Sequence, residues 1–379
     1  MTQKALKVAN LIDKKGNWIS STYYMKNLPE WVDRFNAQKL PEAYANSTWS
    51  LLKDPSMYAL STADAVPFEG FIPGEKTNTF PHRFNLDSVK KFSAIKFSPF
   101  GNILSFEFAQ SAIKNEKMGK GAYPDFLTLS LSSTDYIGHV FGPNSMEIQD
   151  AYLRLDLEIA GFLNFLDSCV GKNNYLLFLT ADHGVAHNPD FLNQNHLPGG
   201  KLDSKSLMKE LNDSIEKRFS ISNAISFFDN FQLYLSNNSQ LHPGLSDDAT
   251  TNAVCRYIIS LLNTKDFVLR AYQLNAINNE VLPEPIRQMS SNSYFPSRSG
   301  DIQIIPKPNY FDGQKTGTTH GCWNPYDAHI PLLWYGKGIS AGRTHHEVHM
   351  TDIAATLSAL LDIQMPNGCV GKVIEDVLK

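Results

Sequence analysis

The chain has 379 residues, 42% of them hydrophobic and 19% charged, with 34 basic against 38 acidic side chains. This is ordinary globular composition, long enough for one large α/β domain or two smaller ones. A formal net charge of −4 offers no electrostatic footprint for nucleic acid or an anionic membrane, and no apolar run approaches the length of a membrane span.

The opening MTQKALKVANLIDKKGNW lacks the apolar core and small-residue cleavage site of a signal peptide. Asp13 in this stretch reads as an ordinary turn residue. Up to residue 124 the chain is irregular, with aromatic-rich and proline-rich pieces and one amphipathic helix near SAIKNEKMG. Tyr23, Tyr24, Trp31 and Phe35 read as core packing. Asp125–Ser133, DFLTLSLSS, is rich in strand formers and reads as a strand, with STDYIGHVFGPN after it as a loop. A long helix then begins where Asn144 and Glu147 stand at capping-box spacing. Ile148, Tyr152, Leu155, Ile159, Phe162 and Leu166 recur at steps of three and four and share one face, and Gly171 marks its end. Tyr175–Thr180, YLLFLT, reads as a second buried strand. Strand, helix and strand make a βαβ unit, which implies a parallel sheet with its sites at the carboxyl ends of the strands.

Between about Pro189 and Ser299 the character changes. SKSLMKELNDSIEKRF and ATTNAVCRYIISLLN read as helices, with QLYLSN as a short strand between them, together an inserted cap or lobe. GDIQIIPKP is then an alternating strand, GTTHGCWNPYDAH a loop, IPLLWYG a buried strand and MTDIAATLSALLDI a closing helix. Cys169, Cys255, Cys322 and Cys369 have no CxxC spacing and form no cysteine-type zinc motif. They read as buried free thiols, with export and disulfides as the other reading.

Three pieces carry chemistry. Asp135 and His139 form D-x-x-x-H, Asp182 and His183 follow a strand directly, and His320 lies in a T-H-G loop. Zinc takes imidazole nitrogen and carboxylate oxygen in near-tetrahedral geometry, and catalytic sites leave one position open. Each piece alone is a weak signal, more often a cap or a buried hydrogen-bonded pair than a ligand. All three at one sheet edge favour a metal.

Their order, DxxxH, helix, strand ending ADHG, insertion, GTTHG and a last strand, resembles the alkaline phosphatase superfamily. The wording is nearest to the bacterial exported zinc alkaline phosphatases of its phosphodiesterase/nucleotide pyrophosphatase-like branch. The likeness is carried by FLTLSLSSTDYIGHVFGPNSMEIQDAYLRLDLEIAGFL, YLLFLTADHGVAHNP, SGDIQIIPKPNYFDG, YDAHIPLLWYG and TDIAATLSALLDIQMPNGCVGKVI. It implies an α/β fold in which an alkaline-phosphatase-like parallel sheet is sandwiched by helices. The core would span 1–188 and 301–379, with 189–300 as the inserted lobe.

The resemblance further implies two zinc ions and a covalent phosphoryl-enzyme. Asp135, His139 and His320 would hold the first zinc, and Asp182 and His183 would contribute to the second. The family's early strand ends in another Asp ligand. A Thr or Ser nucleophile, an Asn and a Lys-x-Arg pair follow, and none of these can be placed in this sequence. The expectation is therefore a core whose N-terminal strands are missing, with one complete and one partial zinc site and no identified nucleophile. Such a chain would be a truncated or split form with little activity of its own, open to a separate N-terminal fragment as partner. The implied reaction is metal-dependent hydrolysis of small-molecule phosphate monoesters. The alternatives are a phosphodiesterase or nucleotide pyrophosphatase on the same scaffold, and a non-catalytic zinc-binding module. The resemblance implies export to the periplasm, whereas a start at Met1 without a signal peptide would leave the chain in the cytoplasm. Neither nucleic acid nor membrane is expected as a partner.

The remaining histidines read as supporting residues. His187 and His196 flank the ADHG loop, His329 reads as a hydrogen-bonded core residue, and His345, His346 and His349 as a solvated turn. Cys322 reads as a bystander, and Arg154 with Asp156 as a structural pair.

Overall fold

The computed structural model describes residues 11–84, 91–236, 248–313 and 316–378. The first ten residues, on which the signal-peptide reading largely rests, lie outside the described residues. Among the described helices none is long and apolar enough to cross a membrane.

The N-terminal part is built on helices. Glu30–Asn36 buries Trp31, Val32 and Phe35 against the helix Phe100–Asn115. Trp18 stacks flat on Phe108 of that helix, with ring centroids 4.1 Å apart. The aromatic run is thus divided: Trp31 and Phe35 are core residues, while Tyr23 and Tyr24 are exposed.

The long helix spans Met146–Leu166, but Ser145 rather than Asn144 caps it, its side chain accepting from Ile148 N at 3.1 Å. Glu147 does not close a capping box. It is fully buried, and its Oε1 lies 3.2 Å from His82 Nε2. Ile148, Phe162 and Leu166 are buried, while Tyr152 is exposed. Arg154 pairs with Asp150, one helical turn back, at 2.6 Å and not with Asp156, since residues two apart on a helix face away from each other.

Two expectations around residue 130 change. Asp125–Leu131 has no regular secondary structure and pairs with no strand among the described residues. Leu129 and Leu131 pack against the cluster of Phe106, Phe162 and Leu166, while Phe126 and Leu127 stay exposed. Strand formers alone do not make a strand; the backbone needs a neighbour for its hydrogen bonds. The expected loop after it is the helix Ser133–Phe141, which buries Ile137 and Phe141 and stops at Gly142 with φ +89°.

Leu176–Thr180 forms as expected and pairs with Leu332–Gly336, but antiparallel. Both strands are only partly buried, with Leu333 and Tyr335 exposed. The α/β class stands and the sheets are mixed: the parallel pair is Gly200–Leu202 with Tyr310–Asp312.

The lobe has its own four-stranded antiparallel sheet, in the order Ile225–Asp229, Gln232–Leu235, Ile302–Pro306, Val268–Gln273. The helices Ser204–Phe219 and Asp248–Leu262 contribute Leu207, Leu211, Ile215, Val254 and Ile258 to the core it shares. One of its inner strands, Ile302–Pro306, comes from beyond residue 300, so the sheet is completed by chain that follows the expected insertion. The same core takes in Ala186, with Cys322 and Tyr326 packed on it, so the lobe is seated on the loops that carry the candidate ligands. The four cysteines are unpaired, and only Cys255 is buried.

Candidate metal centre

Asp135 and His139 stand one turn apart on Ser133–Phe141, so helix geometry alone aims both at the same point. His320 arrives from a loop whose backbone is tied to that helix, where Thr318 N donates to His139 O at 3.1 Å, and to the preceding chain, where Gly317 N donates to Phe68 O at 2.8 Å. Gly317 has φ +73°, and a Cβ there would lie 2.1 Å from the His139 carbonyl oxygen. Only glycine permits so close an approach. Asn188, buried, clamps the same crossing by donating to the carbonyls of Phe68 and Gly317.

The result is a cluster of three donor atoms. His139 Nε2 is 3.4 Å from Asp135 Oδ1 and 3.2 Å from His320 Nε2, and His320 Nε2 is 3.6 Å from Asp135 Oδ1. Ligands about 2.0–2.1 Å from a tetrahedral zinc stand about 3.3 Å from one another. The triangle therefore has the dimensions of one face of such a tetrahedron. Among the described residues it is the group of three or more acidic, histidine or cysteine side chains that converges closely enough to hold a metal ion.

The imidazoles are in a state suited to a cation. His139 Nδ1 lies 3.0 Å from Thr318 O, so the proton belongs on Nδ1 and the Nε2 lone pair faces the cluster. His183 is set the same way, with Nδ1 2.8 Å from Gly184 O. Burial, then the neighbouring charge of His183, holds His320 below the usual histidine range, against the pull of Asp135, so its ring stays neutral.

Asp182 and His183 follow the Leu176–Thr180 strand as expected and reach the same place. His183 Nε2 is 3.6 Å from Asp182 Oδ1 and 4.0 Å from Asp135 Oδ1, and its ring stacks on His320 with centroids 3.4 Å apart. Asp182 is largely exposed. All five expected ligands thus lie in one neighbourhood, three as a compact triangle and two beside it. Asp182, His183 and His320 line a cleft whose other walls include Met289, Trp323 and Met350.

The supporting histidines divide. His187 Nδ1 is held by Asn144 Oδ1 at 2.8 Å. His196 is exposed in a left-handed conformation. His329 is not a core residue; it is exposed and lines the cleft. His345, His346 and His349 lie in an exposed turn, where His346 pairs with Asp376 at 2.7 Å. Thr318 and Asn188, absent from the candidate residues above, hold the ligand loops through main-chain contacts. The flanking glycines in TGTTHG were the signal available for a tight crossing there.

The sequence model of the type I phosphodiesterase / nucleotide pyrophosphatase family matches residues 3–328. The chain belongs to this family, within the alkaline phosphatase superfamily. It is 43% identical over 367 residues to alkaline phosphatase PhoV of Synechococcus elongatus, covering 97% of this chain and 66% of PhoV. It is 42% identical over 371 residues to alkaline phosphatase PafA of Elizabethkingia meningoseptica, again covering 97% of this chain and 66% of the relative. The crystal structure of wild-type PafA superposes with a TM-score of 0.90 at 41% identity, over 97% of this chain and 70% of that one. The chain therefore spans about two thirds of the length of these relatives.

Proposed function

We propose that this family member works in the metal-dependent hydrolysis of phosphate monoesters, with zinc held at the centre described above. The observation that carries the reading is the triangle of Asp135, His139 and His320, whose 3.2–3.6 Å edges suit a tetrahedral zinc. Asp182 and His183 are two donors for a second zinc beside it. The names of the relatives at 43% and 42% identity, both alkaline phosphatases, favour monoesters. The family's own name favours the second reading, hydrolysis of phosphodiesters on the same scaffold.

When bound, zinc supplies Lewis-acid stabilisation of the charge that builds on a phosphoryl group. The residues of this chain do the rest of what is described here. Asp135 provides a negative ligand that offsets part of the cation's charge. Thr318 and Gly184 carbonyls hold Nδ1 of His139 and His183, so neither ring must turn to offer Nε2 to the cation. Met289, Trp323 and Met350 wall the cleft with apolar surface and receive the alcohol part of an ester.

The test uses protein purified from its native cells. Zinc content is measured by atomic emission, and turnover of p-nitrophenyl phosphate is compared with that of bis(p-nitrophenyl) phosphate. Zinc-dependent turnover with the monoester ahead is the expected result. Asp135→Ala or His320→Ala should lose the zinc of the first site and lower turnover by more than the roughly 10–100-fold typical of outer-shell changes. Diester ahead of monoester would select the second reading. Zinc content unchanged in both variants would remove the ligand assignment.

A further inference from the structure

We propose that Asp327, which belongs to none of the ligand sets above, is a positioning residue that holds the two ligand loops of the metal centre together. The inference rests on the metal-centre reading and extends it to a residue outside the ligands.

Asp327 is 2% exposed. Its Oδ2 accepts from Gly321 N at 3.0 Å and Cys322 N at 2.7 Å, the two N–H groups that directly follow His320. Its own carbonyl accepts from Gly184 N at 2.6 Å, the N–H that directly follows His183, and Tyr326 O accepts from Val185 N at 3.0 Å. One buried residue therefore grips the chain just after each of the two histidines whose rings stack at 3.4 Å. The loops meet here without slack: a Cβ on Gly184 would lie 2.0 Å from Tyr326 O.

The His320 loop needs such a grip. Gly317 and Gly321 on either side of it both have positive φ, +73° and +114°, so the backbone that carries this ligand is built from its most permissive residues. A carboxylate oxygen taking two N–H groups converts that freedom into one conformation. Outer contacts of this kind orient ligands and commonly set metal affinity by factors of about 10–100. The second oxygen, Oδ1, has no hydrogen-bond partner among the described residues. Asparagine can therefore keep the clamp, with its amide oxygen at the Oδ2 position and its NH2 where no protein donor is displaced. Alanine cannot.

The experiment compares wild type, Asp327→Ala, Asp327→Asn and His320→Ala. Zinc affinity is measured by competition with a chromophoric chelator, and ligand geometry by the visible spectrum of the Co2+-substituted proteins. Asp327→Ala should bind zinc about 10- to 100-fold more weakly, with an altered Co2+ spectrum, while Asp327→Asn stays near wild type in both. Wild-type affinity and spectrum in Asp327→Ala would overturn the proposal. Equal weakening in both variants with an unchanged Co2+ spectrum would do the same, since it would mark a loss of stability alone. If Asp327→Ala does not fold, Asp327→Ser takes its place, with a smaller loss expected because a hydroxyl is too short to reach both N–H groups. Equal zinc binding by wild type and His320→Ala would instead remove the metal-centre reading, and this inference with it.

Discussion

Gly317 shows how one residue without a side chain can decide a site. It lies where the His320 loop crosses the Ser133–Phe141 helix, and its missing Cβ lets the two backbones touch. Gly317→Ala puts a methyl group 2.1 Å from the His139 carbonyl at a φ that L-residues avoid. The loop must then lift from the helix. The expected cost is on the order of 1–3 kcal/mol of stability, together with weaker zinc binding, because His320 moves relative to Asp135 and His139. Thermal unfolding and chelator competition measure the two effects separately. A variant that keeps both wild-type values would show that the loop shifts without moving His320. The pairing of Asp135 with His139 was legible in the sequence because helix spacing is a local property. Thr318, Asn188 and Asp327 act through main-chain contacts to distant segments, and no spacing records those.

At the scale of elements, the Met146–Leu166 helix is the member against which the preceding chain folds. Its Asp150 is fully buried and accepts four hydrogen bonds: from Trp49 Nε1 at 2.7 Å, Leu52 N at 2.7 Å, Tyr58 OH at 2.5 Å and Arg154 Nε at 2.6 Å. Three of these donors come from a stretch about a hundred residues away that has little regular structure of its own. Asp150→Ala would leave Trp49 Nε1, Leu52 N and Tyr58 OH short of an acceptor and Arg154 without its ion-pair partner. The expected loss is about 3–5 kcal/mol, read as a fall in the denaturant midpoint. A loss under about 1 kcal/mol, the worth of an ordinary hydrogen bond, would show that the network contributes little beyond one contact. The same helix also separates what periodicity can tell from what it cannot. Steps of three and four located the helix. They did not show that Tyr152 would be exposed, or that Glu147 would turn inward to His82. The DFLTLSLSS stretch has the composition of a strand, yet it is irregular up to Leu131 and unpaired among the described residues, because a strand is defined by its neighbour.

Over the whole molecule, the buried group around His82 ties stability to pH. His82 is completely buried, with Nδ1 2.8 Å from Glu75 Oε2 and Nε2 3.2 Å from Glu147 Oε1. Burial opposes its charge, but the hydrogen bonds to Glu147 and Glu75 outweigh it and lift the ring to about 9. Burial, then the charges of Glu147 and Asp64, pushes Glu69 up to about 9 as well. Both groups hold their protons more tightly in the folded chain than in the unfolded one, so both favour the fold at low pH and lose that contribution as pH rises. For Glu69 the loss runs from about 4.5 to 9, and for His82 from about 6.5 to 9. The melting temperature should therefore fall between pH 6.5 and 9.5. Glu69→Gln, neutral at every pH, should flatten part of that fall. An identical pH profile in Glu69→Gln would show that Glu69 does not titrate in this window.

The amino-acid sequence by its local pattern points to the α/β class and to the most strongly periodic helices and strands, and it singles out Asp135, His139, Asp182, His183 and His320 as candidate ligands. These follow from local pattern and from residue types whose chemistry is narrow, an acid and an imidazole one helical turn apart or adjacent at a strand end. Only the tertiary structure decided that the Leu176–Thr180 and Leu332–Gly336 strands run antiparallel, that the lobe's sheet takes a strand from beyond residue 300, and that three donors from two distant segments close to 3.2–3.6 Å. The reason is physical. Strand pairing, loop crossing and donor convergence depend on contacts between residues from about thirty to well over a hundred positions apart, and their energies come from packing and hydrogen bonds that no local window contains.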